Sequence, residues 1–528
     1  MIKFLLRSTF TVSSLWALWA SAEPLETNWC ESLDDSSSSY AMSITQKAKD
    51  ILLNMSNGPF VRSTDGGFVT AVDSTSGIDN GGATNTDGFY QMVYLPGHDS
   101  LPKGMCDLPA CSNSTVQVCH TRCDPSSEQF WASSVVMGYS DVLVTTLCTP
   151  PTVKYYSYDT YISTRITEEY PFYPGQNFGT SISMSNIRLE GGDMFLQPVV
   201  IIQSADAAAA RMVKGAFVEA GFSENAVNIR GIDVDTVRLW DRTENGGENW
   251  KETAPDILFS ISRVSVPTGK GMDKDNFEKY QKLMWPSLLL FANDSISAPA
   301  EPMSPPVAPR TSPDILNEVE VYGSLVEELR KSIIDGSVAE GYTLVAETSL
   351  DTDMLGYYDD WGQVLELKNN DSFVVGTRDA TYGLPEIAKG DNVVLTETSR
   401  AVVFGVIKSG EESLNLRYSQ ANLALLNWIT GRVLDTLTFM EDETLKGSAQ
   451  RYMSDQGYDS LLYAVDYRQP GQCDDEDKAF CIEFGSTDVK RATISMILGV
   501  RMYQQIETGL GPPANTTIAA KALYFQKI

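Results

Sequence analysis

Residues 198–232 constrain the fold more than any other stretch of this chain. Pro-Val-Val-Ile-Ile-Gln-Ser (198–204) is a short, almost wholly apolar run suited to a buried strand, and an alanine-rich stretch (205–222) follows it without a break. There Ala209, Met212, Val213, Ala216 and Phe217 recur at steps of three and four, which gathers them on one helix face, and Gly221 supplies a stop. Ala-Val-Asn-Ile-Arg-Gly-Ile (226–232) then returns as a strand. A strand–helix–strand unit needs a sheet with a helix on its face, so the predicted class is α+β, built of mixed-sheet domains.

Other strands are expected at 153–164, 256–267, 342–348, 372–378, 392–398, 400–407, 461–467 and 522–528, all rich in β-branched and aromatic residues. Residues 40–56 predict a helix with Ile44, Ala48, Ile51 and Leu52 on one face. Residues 317–323 alternate like a strand, and 324–336 predict a helix with a Ser324/Glu327 capping box, a Glu327–Lys331 pair and a stop at Gly336.

The first 22 residues combine a basic start (Lys3, Arg7), an apolar stretch through Leu15–Trp19 and small residues at Ala20-Ser21-Ala22. That is the pattern of a secretory leader cut after Ala22, so a secreted or extracellular location is expected. No later run reaches the roughly 20 apolar residues of a membrane-spanning helix. The best, 283–292, contains Pro286, and no membrane span is expected.

Export changes the reading of the eight cysteines. Cys30, Cys106, Cys111, Cys119, Cys123 and Cys148 crowd the first third, while Cys473 and Cys481 stand far away; in an oxidising compartment all eight read as disulfides. The pair Cys473 and Cys481 is expected to close on itself, holding Asp474, Asp475, Glu476 and Asp477 together. The cluster around His120 lacks the paired knuckles of a zinc site. A disulfide-bonded, hairpin-rich N-terminal region (23–150) is expected to precede an α+β domain (151–296), a Pro-rich linker or surface strap (297–313) and a C-terminal α+β domain (314–528).

Two Thr-Asp-Gly steps, Thr64-Asp65-Gly66 and Thr86-Asp87-Gly88, resemble parts of calcium loops. The 79–90 stretch has Asp79, Asn85 and Asp87 but Tyr90 in place of the final carboxylate, so both steps are read as hairpin turns.

The net charge of −29 disfavours nucleic acid and anionic lipid as partners and leaves glycans, cations or basic proteins. Only His98 and His120 occur, which works against histidine-based metal sites; His98-Asp99-Ser100 are sequence neighbours rather than a convergent triad. Phosphate loops, C-x-x-C pairs and dinucleotide fingerprints do not occur, and no cofactor is expected beyond calcium at partly imitated loops. One such imitation is also the densest meeting of acids and aromatics: Asp351, Asp353, Asp359 and Asp360 beside Tyr357, Tyr358 and Trp361. These acids are the candidate catalytic residues, with the three aromatics and Arg378 as candidate ligand contacts. Sequons at Asn54, Asn113, Asn293, Asn370 and Asn515 are candidate glycosylation sites. The expected function is binding, without a catalytic centre of its own; the alternative is a carboxylate-based hydrolase acting on a neutral glycan.

Overall fold

The computed structural model describes residues 29–56, 58–70, 88–96, 131–132, 134–166, 171–172, 176–177, 181–243, 255–265, 274–304, 316–348, 380–383, 386–389, 398–408, 414–427, 432–440, 445–453, 458, 460–473, 480–483, 494–506, 508–513 and 516–527. Among them are four α-helices, α1 Asp35–Asn54, α2 Ala207–Glu219, α3 Lys274–Lys282 and α4 Glu318–Ala339, and three sheets, an α+β architecture. None of these helices is long and apolar enough to cross a membrane.

Leaving two-residue strands unlabelled, the first sheet contains β1 Phe60–Thr70, β2 Gly88–Pro96, β3 Val142–Cys148, β4 Tyr156–Ile166, β5 Pro198–Ser204, β6 Val227–Gly231, β7 Ile257–Ser265 and β8 Trp285–Ala292. Their order is β6-β5-β3-β8-β1-β2-β7-β4. β5 and β6 run parallel with α2 joining them, as the sequence predicts. α2 starts where the Asp206 carboxylate accepts from Ala208 N–H (2.9 Å), buries Ala209, Val213, Ala216 and Phe217, and ends before Gly221, whose φ of 103° suits a residue without Cβ.

The sheet folds back on itself. Gln203 on β5 donates to Ser260 on β7 (3.0 Å) and shares a hydrogen bond with Thr160 on β4, although β5 stands at the opposite end of the strand order from both. α1 lies on the outer face, where Thr45 donates to Thr146 of β3 (2.8 Å) and Ile44, Ala48 and Leu52 are buried. The Cys30–Cys148 disulfide ties the segment before α1 to the end of β3, with both cysteines fully buried. Strands from both sides of residue 150 interleave here, so the expected border at 150 runs through one sheet. Cys106, Cys111, Cys119 and Cys123 lie outside the described residues.

Thr64-Asp65-Gly66 is not a turn but the middle of β1. Gly66 meets a different demand: a Cβ there would stand 2.3 Å from the Tyr94 carbonyl oxygen and 2.4 Å from a Leu95 methyl. The glycine marks close strand approach, not positive φ. Most of the second step and of the 79–90 loop lies outside the described residues.

The second half contains β9 Tyr342–Glu347, β10 Ala380–Gly383, β11 Glu386–Lys389, β12 Ser399–Val406, β13 Leu416–Asn427, β14 Arg432–Met440, β15 Leu462–Arg468, β16 Cys481–Glu483, β17 Ile494–Gln505 and β18 Lys521–Lys527. One sheet runs β9-β18-β12-β15-β16; the other runs β10-β17-β13-β14, with β11 also on β17. Alternation along β12 builds two cores. Ala401 and Val403 pack with Leu423, Leu425, Leu498 and Val500 of the facing sheet, while Val402, Phe404 and Val406 pack against Val326, Leu329 and Ile333 of α4. The result is a helix layered on a sandwich. Cys473 and Cys481 are bonded to each other, as expected.

α4 corrects two expectations. Residues 318–323 are helical, because the Asn317 side chain caps the helix by accepting from Glu320 N–H (3.2 Å). The alternating Val319 and Val321 are exposed, so their period reports no buried face, and Glu318 just before them is the buried residue. Gly336 lies inside the helix, and Glu327 pairs with Arg330 (2.9 Å), where Lys331 was expected.

The start of the Pro-rich segment is a strap on the first half. Ala207 N–H donates to Glu301 O (2.9 Å), Met303 N–H to Ala205 O (3.0 Å), and Ala300 N–H to the Asp206 carboxylate (2.9 Å). Burial disfavours the charged form of Asp206, yet hydrogen bonds from Ser140 and the backbones of Ala300, Ala208 and Glu301 outweigh it and hold the pKa below the ordinary aspartate value. Such a carboxylate stabilises fully above the unfolded pKa, and the contribution is lost as pH falls through the lower folded one. Asp206→Ala is expected to cost about 2–3 kcal/mol by removing a cap and charge-assisted bonds together. Hydrogen exchange should quicken at Ala300, Glu301 and Met303; unchanged protection there would show the strap holding without Asp206.

Candidate functional site

The interior face of the first sheet combines polar and aromatic side chains. Strand pairing aligns Gln91 of β2 with Ser262 of β7, and Ser262 with Tyr158 of β4. Because side chains alternate, these share a face with Phe68, Phe89, Val93, Ser260 and Thr160. Further round the fold, Thr145 and Ser287 bond each other across β3 and β8 (3.2 Å).

Most of this polar belt is internally satisfied, as the Gln203–Thr160–Ser260 network is. Gln91 is not. It is fully buried, yet neither its amide nitrogen nor its amide oxygen has a hydrogen-bond partner among the described residues; the same holds for the buried Ser262 hydroxyl beside it and the indole N–H of Trp285. An unsatisfied buried polar group costs about 1–3 kcal/mol, so native interiors rarely keep several together without a purpose.

Aromatic rings wall the neighbourhood. Phe68 lies 6.5 Å from Tyr158 between ring centroids, and from α3 Phe277 meets Phe89 edge-on at 5.1 Å while Tyr280 stands 5.9 Å from Trp285. The Tyr280 hydroxyl donates to Cys148 O (2.9 Å). Burial raises the pKa of Tyr156, Tyr158 and Tyr280 far above the ordinary phenol value, so all three stay neutral. The site therefore offers a donor–acceptor amide, a hydroxyl and apolar ring faces without a formal charge. That set suits an uncharged molecule with hydroxyl or amide groups and an apolar face.

The buried acids serve elsewhere. Asp141 accepts from Arg242 (2.9 Å), Asp159 from Arg263 (3.1 Å), and Asp256 from Arg165 (2.8 Å). Asp206 is held by backbone N–H groups, Asp466 by Arg400 (2.9 Å), and Glu318 by the fully buried Lys408. These are the six buried acids of the described residues, and each is locked by donors. No group of three or more metal-ligating side chains occurs among the described residues.

Asp351, Asp353, Asp359, Asp360, Tyr357, Tyr358, Trp361 and Arg378 all lie outside the described residues, as do His98, His120, Asn113, Asn370 and Asn515. Asn54 and Asn293 are exposed. Sequence reasoning passed over Gln91 because nothing in Phe-Tyr-Gln-Met-Val separates an interior glutamine from a solvent-facing one; only the position of an inward-facing polar residue at period two hints at it.

No family model matches the chain, and no curated protein matches it. Among solved structures it is similar to an uncharacterized protein from Burkholderia cenocepacia, at 12% identity over 98% of each chain with a TM-score of 0.35. It is also similar to a protein from Vibrio parahaemolyticus, at 9% identity over 92% of this chain and 97% of the other, with a TM-score of 0.33. Likeness at this distance assigns no function.

Proposed function

We propose that this is a secreted, acidic, disulfide-bonded protein that acts by binding, without a catalytic centre of its own, and that its ligand is a small uncharged molecule carrying both hydrogen-bonding groups and an apolar face. A neutral sugar has that chemistry. The observation that carries the reading is Gln91, whose buried amide, among aromatic walls, has no hydrogen-bond partner at either end among the described residues. The leader, the even cysteine count and the charge support secretion.

Gln91→Leu keeps the volume and removes two unpartnered polar atoms, so it is expected to stabilise the ligand-free protein by about 1–2 kcal/mol. Thermal melts with a panel of neutral mono- and oligosaccharides should show a saturable rise for the unmodified protein and none for the variant. A destabilised variant would mean that Gln91 already has the partner it needs. Release of reducing sugar from the panel would favour the hydrolase instead.

A further inference from the structure

The two described disulfides differ in what surrounds them. Cys30 and Cys148 are fully buried, and Cys148 ends β3, a strand paired on one side with β5 and on the other with β8. Cys473, by contrast, is half-buried in the turn after β15, and its partner Cys481 opens β16, the last strand of its sheet among the described residues. A reagent in solution can approach the second bridge while the fold is intact, but reaches the first only when the core opens.

β16 depends on that bridge. It runs parallel to β15 over three residues, pairing Asp466 with Cys481, Tyr467 with Ile482 and Arg468 with Glu483. Asp466 N–H donates to Phe480 O (2.9 Å), and the exposed Glu483 carboxylate accepts from Gly471 N–H (2.9 Å) and Cys473 N–H (3.3 Å). Ile482 packs, partly buried, against the core between the two sheets. So short a parallel ladder with so little apolar burial is a weak pairing, and the covalent tie keeps the strand in place. The residue beneath it has a second role. The Asp466 backbone meets β16, while its carboxylate gathers Arg400 (2.9 Å), Arg468 (2.9 Å) and Arg451 (3.2 Å).

We propose that Cys473–Cys481 is a redox latch: a dithiol opens it in the folded protein, β16 leaves β15, and the Asp466–Arg468 end of β15 with its arginine network opens to water, while Cys30–Cys148 stays closed. One thiolate of the reductant attacks the half-buried Cys473 sulfur. The S–S bond breaks, a mixed disulfide forms at Cys473, and Cys481 departs as a thiolate that takes up a proton. The second thiolate of the reductant then attacks the reductant's own sulfur in the mixed disulfide. Cys473 leaves and is protonated, the reductant ends as a disulfide, and two electrons have passed to the protein. A monothiol stalls at the first stage, because Cys481, tethered close to Cys473, displaces it again at a high effective concentration. The latch stands apart from the uncharged interior around Gln91.

The test uses the intact protein at neutral pH without denaturant, with dithiothreitol as the dithiol. After incubation, free thiols are blocked with iodoacetamide and located by peptide mass spectrometry. Cys473 and Cys481 are expected to label together, at dithiothreitol concentrations about tenfold or more below those that label Cys30 and Cys148. Hydrogen exchange across 462–468 should quicken in the reduced form, exchange in β12 and β18 should stay as it was, and removal of the dithiol in air should restore protection. Dithiothreitol also meets Cys106, Cys111, Cys119 and Cys123, so a Cys473→Ala/Cys481→Ala variant isolates the latch. It should show the same fast exchange across 462–468 with no reductant present. Labelling of both bridges at one concentration, unchanged exchange across 462–468 in the variant, or protection that does not return on reoxidation would overturn the proposal. So would loss of protection in β12 and β18, which would make the bridge a support of the whole sheet.

Discussion

Asp466→Ala is expected to destabilise the second half by about 3–5 kcal/mol, the range for breaking a buried ion pair from one side. One Asp466 oxygen accepts from Arg400 Nε (3.0 Å) and Tyr452 (3.2 Å); the other accepts from Arg400 (2.9 Å) and Arg468 (2.9 Å), with Arg451 at 3.2 Å. Its removal leaves three guanidiniums together, with Glu340 the remaining acid on Arg400 (3.0 Å). Arg400 is nearly inaccessible to water, so solvent cannot replace what is lost. Urea unfolding should show a lower midpoint at an unchanged slope. Burial favours the neutral acid, but Arg400, Arg451 and Arg468 outweigh it and hold the Asp466 pKa below the ordinary value. The stabilisation is therefore complete above the unfolded carboxylate pKa, about 3.9, and is lost as pH falls through the lower folded value. The variant should lose less stability across that acid window than the unmodified protein. A cost below about 1 kcal/mol would mean that the network behaves like a surface pair.

The second large effect concerns Cys30–Cys148, which spans 118 residues of sequence. In the chain-entropy model a loop of that length restrains the unfolded chain by about 4–5 kcal/mol, while a short loop such as Cys473–Cys481 contributes about 2–3 kcal/mol. Paired alanine variants of each bridge, compared by calorimetry, should reproduce that order. The long bridge also joins α1 to β3 across the core, so its loss should be felt at the Thr45–Thr146 contact (2.8 Å). An equal cost for the two bridges would mean that the entropic argument does not govern this protein.

How much of this was legible in the sequence depended on which interactions decided each element. The β5–α2–β6 unit was readable because its periodicity, cap and stop all act locally. The Cys473–Cys481 bridge followed from isolation in sequence. α4 was misread at its start because Val319 and Val321 alternate on an exposed surface, where tertiary contacts give the period no meaning. β13, β14 and β17 were missed: runs such as Ile-Ser-Met-Ile-Leu-Gly-Val-Arg-Met carry no clean alternation, and although β13 and β14 form a hairpin, β17 pairs with strands far back along the chain. The candidate site was not visible, since Gln91 becomes unusual only through what fails to meet it among the described residues after folding.

The place of β18 has a consequence for how the protein is made. The last described strand, Lys521–Lys527, lies between β9 and β12 and, among the described residues, is the sole ladder joining Tyr342–Glu347 to the remainder of its sheet. A chain emerging from its N-terminus completes the first sheet once β8, ending at Ala292, is available. In the second sheet β9, complete at Glu347, and β12, complete at Val406, each show a bare edge until Lys521–Lys527 is made. Unpaired edges recruit strands from other molecules, so two half-built edges have to be shielded until that strand has been made.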